Sequence, residues 1–140
     1  MTFYALFIAI IFCMVMSIRT LFLTTGDKKR FSMETLGWAI NLYATILIGF
    51  ALIYLLFELQ NHSVILDNGK RVEGDFFQQL QTSFYFSAMT MFSVGYGDIS
   101  PIGIGRMVAT IQAFVGYALP VAFVIRTVSS EMDQYERNKR

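Results

Sequence analysis

The chain is poor in the residue types on which enzymes and metal sites depend. It has one cysteine, Cys13, and one histidine, His62, far apart among its 140 residues. A lone cysteine supports neither a disulfide within the chain nor a thiolate metal site. No nucleophile and base, and no pair of carboxylates, are spaced as a catalytic group, so we expect no enzyme. We interpret His62 as a solvated side chain, with a pH sensor as the alternative.

Charge is also scarce. Charged residues make up 15% of the chain and hydrophobic residues 55%, and the net charge is only +1. This composition differs from that of an ordinary soluble domain. The charge balance gives no sign of a nucleic-acid partner, and we expect none. The apolar residues fall in three long blocks, which indicate membrane-spanning segments with the lipid bilayer as their surroundings.

The apolar blocks divide the chain into predicted segments. Residues 1–23 form a first span. A signal peptide is disfavoured, because no basic residue precedes the apolar run and no cleavage site follows it. An interfacial helix is disfavoured because the run has no polar face. Residues 36–59 and 105–128 form two further spans. A basic loop, 24–35, separates the first two spans, and a short charged tail, 129–140, follows the third.

The distribution of basic residues predicts the orientation, because Lys and Arg favour the cytoplasmic side of a membrane. They cluster in the first loop and in the tail: Lys28, Lys29, Arg30, Arg137, Lys139 and Arg140. We therefore expect a multi-pass protein of the cell (plasma) membrane, with its N-terminus outside and its C-terminus in the cytoplasm.

The segment between the second and third spans is then extracellular at first. Residues 60–74 form a turret in which Asn68-Gly69, between two short runs, predicts a β-hairpin. Residues 75–92 form a helix that Asp75 can cap with its carboxylate. This helix is too polar at its start to cross a bilayer alone. We expect it to re-enter the membrane, buried in protein.

The next stretch is Ser93-Val94-Gly95-Tyr96-Gly97-Asp98. Glycines at alternate positions permit a backbone that alternates between right- and left-handed conformations, since the latter cost little only for glycine. Such a backbone can aim successive carbonyls at one axis, where these uncharged dipoles can replace the water around a cation. A simple glycine-rich turn is the alternative, and it leaves the apolar flanks unexplained.

This stretch resembles the selectivity filter of potassium channels, with Ser93 where the family has threonine. The resemblance covers about residues 36–128. It implies an all-α membrane protein with a pore domain of the potassium-channel type, made of a transmembrane helix, a pore helix with its filter loop, and a second transmembrane helix. The first span is then an extra N-terminal transmembrane helix. Since one chain supplies a quarter of the filter, the resemblance also implies a homotetramer that transports K⁺.

The resemblance also implies roles for particular residues. The K⁺ ligands would be the backbone carbonyls, together with the hydroxyl of the serine, in Ser93, Val94, Gly95 and Tyr96. Filter support and the outer mouth would fall to Tyr85, Phe86, Thr90, Gly97 and Asp98. A ring of Asp98 carboxylates would concentrate cations, or the carboxylate would bond to Tyr85 or the backbone; both can hold.

The last span carries a predicted bend. Gly116 falls where the family has a hinge glycine, and Pro120 removes a backbone hydrogen bond of the helix. The bend would be a gate that opens the inner mouth, with a fixed kink as the alternative.

Three positions depart from the family pattern. Phe86 has no hydrogen-bond donor, Met89 stands where some relatives have a carboxylate, and Phe92 stands where threonine is usual. These departures leave the ligand ring intact but bear on the rigidity of the filter. We expect passive, potassium-selective conduction. The alternatives are a non-selective cation channel, against which the intact residues 95–98 argue, and a non-conducting modulatory subunit.

Overall fold

The structure is a computed structural model that describes residues 2–24, 33–60, 62–72 and 74–139. These residues form four helices: α1 (Thr2–Thr24), α2 (Met33–Leu59), α3 (Phe76–Met91) and α4 (Gly105–Asn138). They also form three short strands: β1 (Ile65–Asp67), β2 (Lys70–Arg71) and β3 (Ile99–Pro101). The chain is thus mostly helical, with a small sheet that an all-α class omits. The basic cluster Lys28, Lys29 and Arg30 lies outside the described residues.

Two of the helices are long and apolar enough to cross a membrane. The qualifying stretches are Ala39–Leu59 in α2 and Gly105–Ile125 in α4, each 21 residues long, with mean hydropathy of 2.2 and 1.9. A span needs about 20 predominantly apolar residues. Within α1, the apolar stretch found among the described residues, Tyr4–Ser17, is shorter.

Helix α2 lies at the centre of the molecule and packs against α1, α3 and α4. Its Ile46 and Tyr54 are fully buried. The core around them also includes Phe86 and Met91 of α3 and Ala109 of α4. Because α3 and α4 both pack on α2, the position of the segment between them depends on this shared core.

Helix α1 packs antiparallel to α2. Near its start, the Phe7 ring meets Phe57 near the end of α2 edge-on, with ring centroids 6.1 Å apart. Further along, the Met14 side chain lies against Gly49. The beginning of α1 and the end of α2 therefore lie at the same end of the helix pair.

The turret is joined to the chain that follows the glycine motif. Asn68 and Gly69 both have positive φ, 48° and 78°, which suits a two-residue turn between β1 and β2. β1 pairs antiparallel with β2 on one side and with β3 on the other, where Leu66 lies opposite Ser100. The hairpin was predicted, whereas β3 was not, because three residues ending in proline give a weak strand signal.

The buried carboxylate of Glu58 fixes the entry to this sheet. Only 8% of the residue is exposed, and its Oε1 accepts hydrogen bonds from the backbone N–H of Val64 at 2.7 Å and of Ile65 at 3.0 Å. Charge-assisted bonds of this kind are stronger than neutral ones. The end of α2 is thereby tied to β1.

Two sequence predictions need correction. α4 does not end at residue 128 but continues to Asn138, since the following residues include good helix formers and no glycine or proline. Asp75 occupies the N-cap of α3, but its side chain makes no capping bond. Its backbone carbonyl accepts from Gln78 N and Gln79 N instead, and the residues at this end are exposed, so water can satisfy the remaining donors.

We predict that Glu58→Ala lowers the free energy of unfolding by about 1–3 kcal/mol, because two buried N–H groups lose their acceptor. Glu58→Gln keeps an acceptor oxygen and should cost clearly less. Thermal unfolding of the purified protein in detergent would measure both variants. Equal losses in the two would contradict the role given to the Glu58 oxygen.

Candidate functional site

The site begins where α3 ends. Phe92 caps the helix, and its N–H donates to the Ala88 carbonyl at 2.9 Å. The next two N–H groups also turn back onto α3: Ser93 N donates to Thr90 O at 3.2 Å and Val94 N to Met89 O at 2.9 Å. These bonds close the helix and direct the chain into an extended segment.

The backbone of that segment alternates in hand. Ser93, Gly95 and Gly97 have positive φ values of 54°, 59° and 82°, while Val94 and Tyr96 between them do not. Positive φ was expected at the two glycines, since glycine adopts it at little cost. Ser93 extends the alternation by one residue, which the sequence pattern did not indicate because serine is not a usual left-handed residue.

In the part of the chain that the structure describes, no hydrogen bond reaches the carbonyl oxygens of Ser93, Val94, Gly95 or Tyr96. The side chains of Val94 and Tyr96 are 47% and 73% exposed. These residues are exposed, so water, an ion or a second chain can supply the partner that each carbonyl needs. An aqueous cation is one such partner.

At the end of the segment away from α3, Asp98 makes two contacts with neighbouring elements. The backbone carbonyl of Asp98 accepts from Asn68 N in the turret at 2.7 Å. The Asp98 carboxylate interacts with the Tyr85 phenol of α3 and raises the pKa of that phenol. This interaction agrees with one of the two roles expected for the carboxylate, and the cation-concentrating ring stays a prediction. Asp98 thus links the glycine segment to both α3 and the sheet.

A narrow crevice between α3 and the segment brings all five predicted support residues together. It is lined by Tyr85, Phe86, Met89 and Thr90 on the helix side and by Gly95, Tyr96, Gly97, Asp98 and Ile99 on the other. Phe86 is 5% exposed, and its ring packs edge-on against Tyr54, with centroids 4.9 Å apart. Phe86 therefore also joins α3 to the core.

Behind α3, a chain of buried hydrogen bonds joins three helices. The Tyr54 hydroxyl donates to Gln112 Oε1 at 2.9 Å, and Gln112 Nε2 donates to the Ser87 carbonyl at 2.9 Å and to its hydroxyl at 2.7 Å. The Ser87 hydroxyl donates in turn to the Leu47 carbonyl at 2.8 Å. The side chains of Tyr54, Gln112 and Ser87 are fully buried. A satisfied buried network of this kind fixes one arrangement of the helices.

These network residues were missed by sequence reasoning. The available signal was Gln112, a strongly polar residue inside an apolar span, where such residues bond between helices. Its partners lie 25 and 58 residues away in the chain, and one sequence does not reveal such pairings.

Of the two predicted hinge residues, Gly116 lies against the end of α3. Gly116 is buried, and an added Cβ there would overlap the Met91 carbonyl oxygen at the end of α3. Pro120 lies inside α4, one turn further along. α4 therefore passes the end of α3 at its glycine.

Comparison with known proteins decides the family. A family model described as an ion channel matches residues 42–130, from within α2 to within α4. The chain belongs to this ion-channel family. The matched range includes the turret, the whole glycine segment and the spanning stretch of α4. It also includes the spanning stretch of α2 apart from its first three residues, and it leaves α1 outside.

Two curated relatives of this channel are both called Protein LctB, a name that states no activity. The one from Bacillus caldotenax is 41% identical over 99 residues, which cover 71% of this chain and 74% of the relative. The one from Geobacillus stearothermophilus is 40% identical over 99 residues, with the same coverage. No solved structure matches the channel. Membership of an ion-channel family, with two helices able to span, indicates a membrane protein that moves ions and not an enzyme.

We predict that Gln112→Leu lowers the free energy of unfolding by about 1–3 kcal/mol, because Tyr54 and Ser87 lose a buried partner. Thr110→Val is the matched control: it removes an exposed hydroxyl that bonds only to the Arg106 carbonyl of its own helix. Thermal unfolding in detergent would compare them. A Gln112 variant as stable as the control would contradict the stabilising role given to the network.

Proposed function

We propose that this channel conducts K⁺ selectively and passively through carbonyl cages formed by Ser93, Val94, Gly95 and Tyr96. The observation that carries the proposal is the alternation of positive φ at residues 93, 95 and 97, beside four carbonyls with no partner among the described residues. Carbonyls of this kind can replace the hydration shell of K⁺ without binding it too tightly. The Ser93 hydroxyl would complete the innermost cage.

The functional unit would be a homotetramer around the pore axis. The exposure of Val94 and Tyr96 supports this, since a filter segment on the surface of one protomer needs copies to enclose an ion. The spanning stretch of α4 supports it too, because only 17% of it is buried within the protomer. Its exposed apolar side chains include Met107, Ile111, Phe114, Val121 and Ile125. Four-fold symmetry would cover part of this face.

The proposed topology has three spans in the cell membrane, with α1 as the extra one. The antiparallel packing of Phe7 and Met14 on α2 supports it, since it puts the start of α1 on the turret side. The N-terminus would then be outside and the C-terminus, at the end of α4, in the cytoplasm. The apolar exposed side chains of α1, such as Ile8 and Phe12, would meet lipid.

Conduction would follow from the geometry in three steps. Cations would gather near the Asp98 residues at the outer mouth. K⁺ would shed water, enter the carbonyl cages in single file, and advance by repulsion from the next ion. At the inner end, bending of α4 between Gly116 and Pro120 would open or close the path.

Ion flux through the purified protein in liposomes, K⁺ against Na⁺, tests the proposal. A strong preference for K⁺ is the expected result. Equal flux would identify a non-selective channel whose filter is loosened around Phe86, Met89 and Phe92. The absence of flux in protein that forms tetramers would favour a modulatory subunit.

We predict that Gly97→Ala abolishes or greatly reduces the preference for K⁺, because φ at this position is 82° and alanine resists the left-handed backbone. Gly37→Ala is the matched control, since Gly37 lies in α2 with no atom near an added Cβ. Relative K⁺ and Na⁺ flux would be measured for both. An unchanged preference in the Gly97 variant would contradict the carbonyl-cage assignment.

A further inference from the structure

One carbonyl of α4 lacks its helical partner. In an α-helix, the carbonyl of residue i accepts from the N–H of residue i+4. Pro120 is the residue that follows Gly116 by four, and proline has no N–H. The Gly116 carbonyl is therefore left without a donor from its own helix, in a part of the protein where Gly116 is buried.

A side chain from α2 supplies the missing donor. The Tyr43 hydroxyl lies 2.7 Å from the Gly116 carbonyl oxygen and donates to it. This distance is typical of a strong O–H···O bond. Tyr43 and Gly116 are 73 residues apart in the chain, so the bond fixes the position of one helix on another.

The same hydroxyl also faces the end of the pore helix. It lies 3.4 Å from the carbonyl oxygen of Met91, the last residue of α3. The backbone bonds that close α3 go to the carbonyls of Ala88, Met89 and Thr90, and carbonyls at a helix end have no partner within the helix. One proton cannot serve both acceptors equally, and the shorter distance assigns it mainly to Gly116.

The Tyr43 ring strengthens the junction. It packs against the Phe92 ring, with centroids 5.6 Å apart, immediately before the filter segment. At Gly116, an added Cβ would overlap the Met91 carbonyl oxygen, so the backbone of α4 runs close to the end of α3. The hinge glycine of α4, the end of α3 and the residue before the filter thus meet around one phenol.

We propose that Tyr43 is a positioning residue for the gate: its hydroxyl replaces the missing Pro120 N–H at Gly116 and ties the hinge to the base of the filter. This inference rests on the proposed function, in which α4 bends at Gly116. Bending there moves the Gly116 carbonyl relative to α2, so the gate and the Tyr43 bond change together. A helix with an ordinary residue at position 120 would not need the phenol.

Two backgrounds isolate this bond. Tyr43→Phe removes the hydroxyl but keeps the ring against Phe92. Pro120→Ala restores the helical N–H, so the Gly116 carbonyl regains its own partner and depends less on Tyr43. Tyr135→Phe is the matched control, because it removes a phenol hydroxyl from an exposed position near the end of α4.

The first measurement is the open probability of single channels. We expect Tyr43→Phe to change the ratio of open to closed channels by about fivefold or more, as the loss of a partly buried hydrogen bond does. In the Pro120→Ala background, the same substitution should change it by about twofold or less. Equal changes in both backgrounds, or no change in either, would overturn the proposal.

The second measurement does not require conduction. The dipeptide Gly-Tyr occurs twice in the chain, at Gly95-Tyr96 in the filter and at Gly116-Tyr117 at the hinge. Labelling glycine with ¹³C at the carbonyl and tyrosine with ¹⁵N therefore gives two correlated NMR signals. Tyr43→Phe should shift the Gly116 carbonyl signal with proline at 120 and much less with alanine there. Tyr135→Phe should leave it in place.

The two measurements separate the possible failures. If the wild-type protein does not conduct K⁺ in liposomes, the proposed function fails, and the carbonyl signals still decide whether the Tyr43 bond exists. If Tyr43→Phe leaves the NMR signal of the Gly116 carbonyl unshifted, the inference is overturned. A shifted signal with an unchanged open probability overturns the coupling to the gate.

Discussion

The structure depends on the need of buried backbone groups for hydrogen-bond partners. α3 ends inside the protein, and the chain from Phe92 to the start of β3 has no ladder of its own. Away from water, irregular backbone persists only where protein or an aqueous path satisfies it. Side chains of α2 and α4 meet that need around α3: Ser87 bonds to Leu47, and Gln112 bonds to Ser87. Each helix of the pore region is therefore fixed through the others.

The glycine segment is held at both ends and left unpaired between them. At the end next to α3, Ser93 and Val94 donate back to that helix, and at the other end Asn68 donates to Asp98. The turret sheet and Glu58 connect the Asn68–Asp98 bond to α2. This arrangement leaves the carbonyls of the segment available without leaving the backbone free to collapse onto them. Rigid supports around a few exposed dipoles are what selective coordination of an ion requires.

Local features of the sequence predicted the helices and the hairpin well, but a single sequence does not reveal contacts between residues that are distant in the chain. The Asn-Gly turn, the alternate glycines and the two spans each follow from residues close in sequence. The Gln112 network and the Tyr43 bond join residues that are 25 to 73 positions apart in the chain. Strand β3 has only three residues, which is too short for a clear sequence signal. The end of α4 was misplaced because the change from apolar to charged residues marks the edge of a span and not the end of a helix.

The most direct test of the account is the location of ions in the assembled protein. Crystals grown in Rb⁺, a K⁺ substitute that gives anomalous scattering, would locate each ion by its own signal. The account predicts a four-fold assembly with anomalous peaks on its axis, each surrounded by carbonyl oxygens of residues 93–96, and no such row in crystals grown in Na⁺. A four-fold assembly whose axis at these carbonyls is empty of Rb⁺ would contradict it.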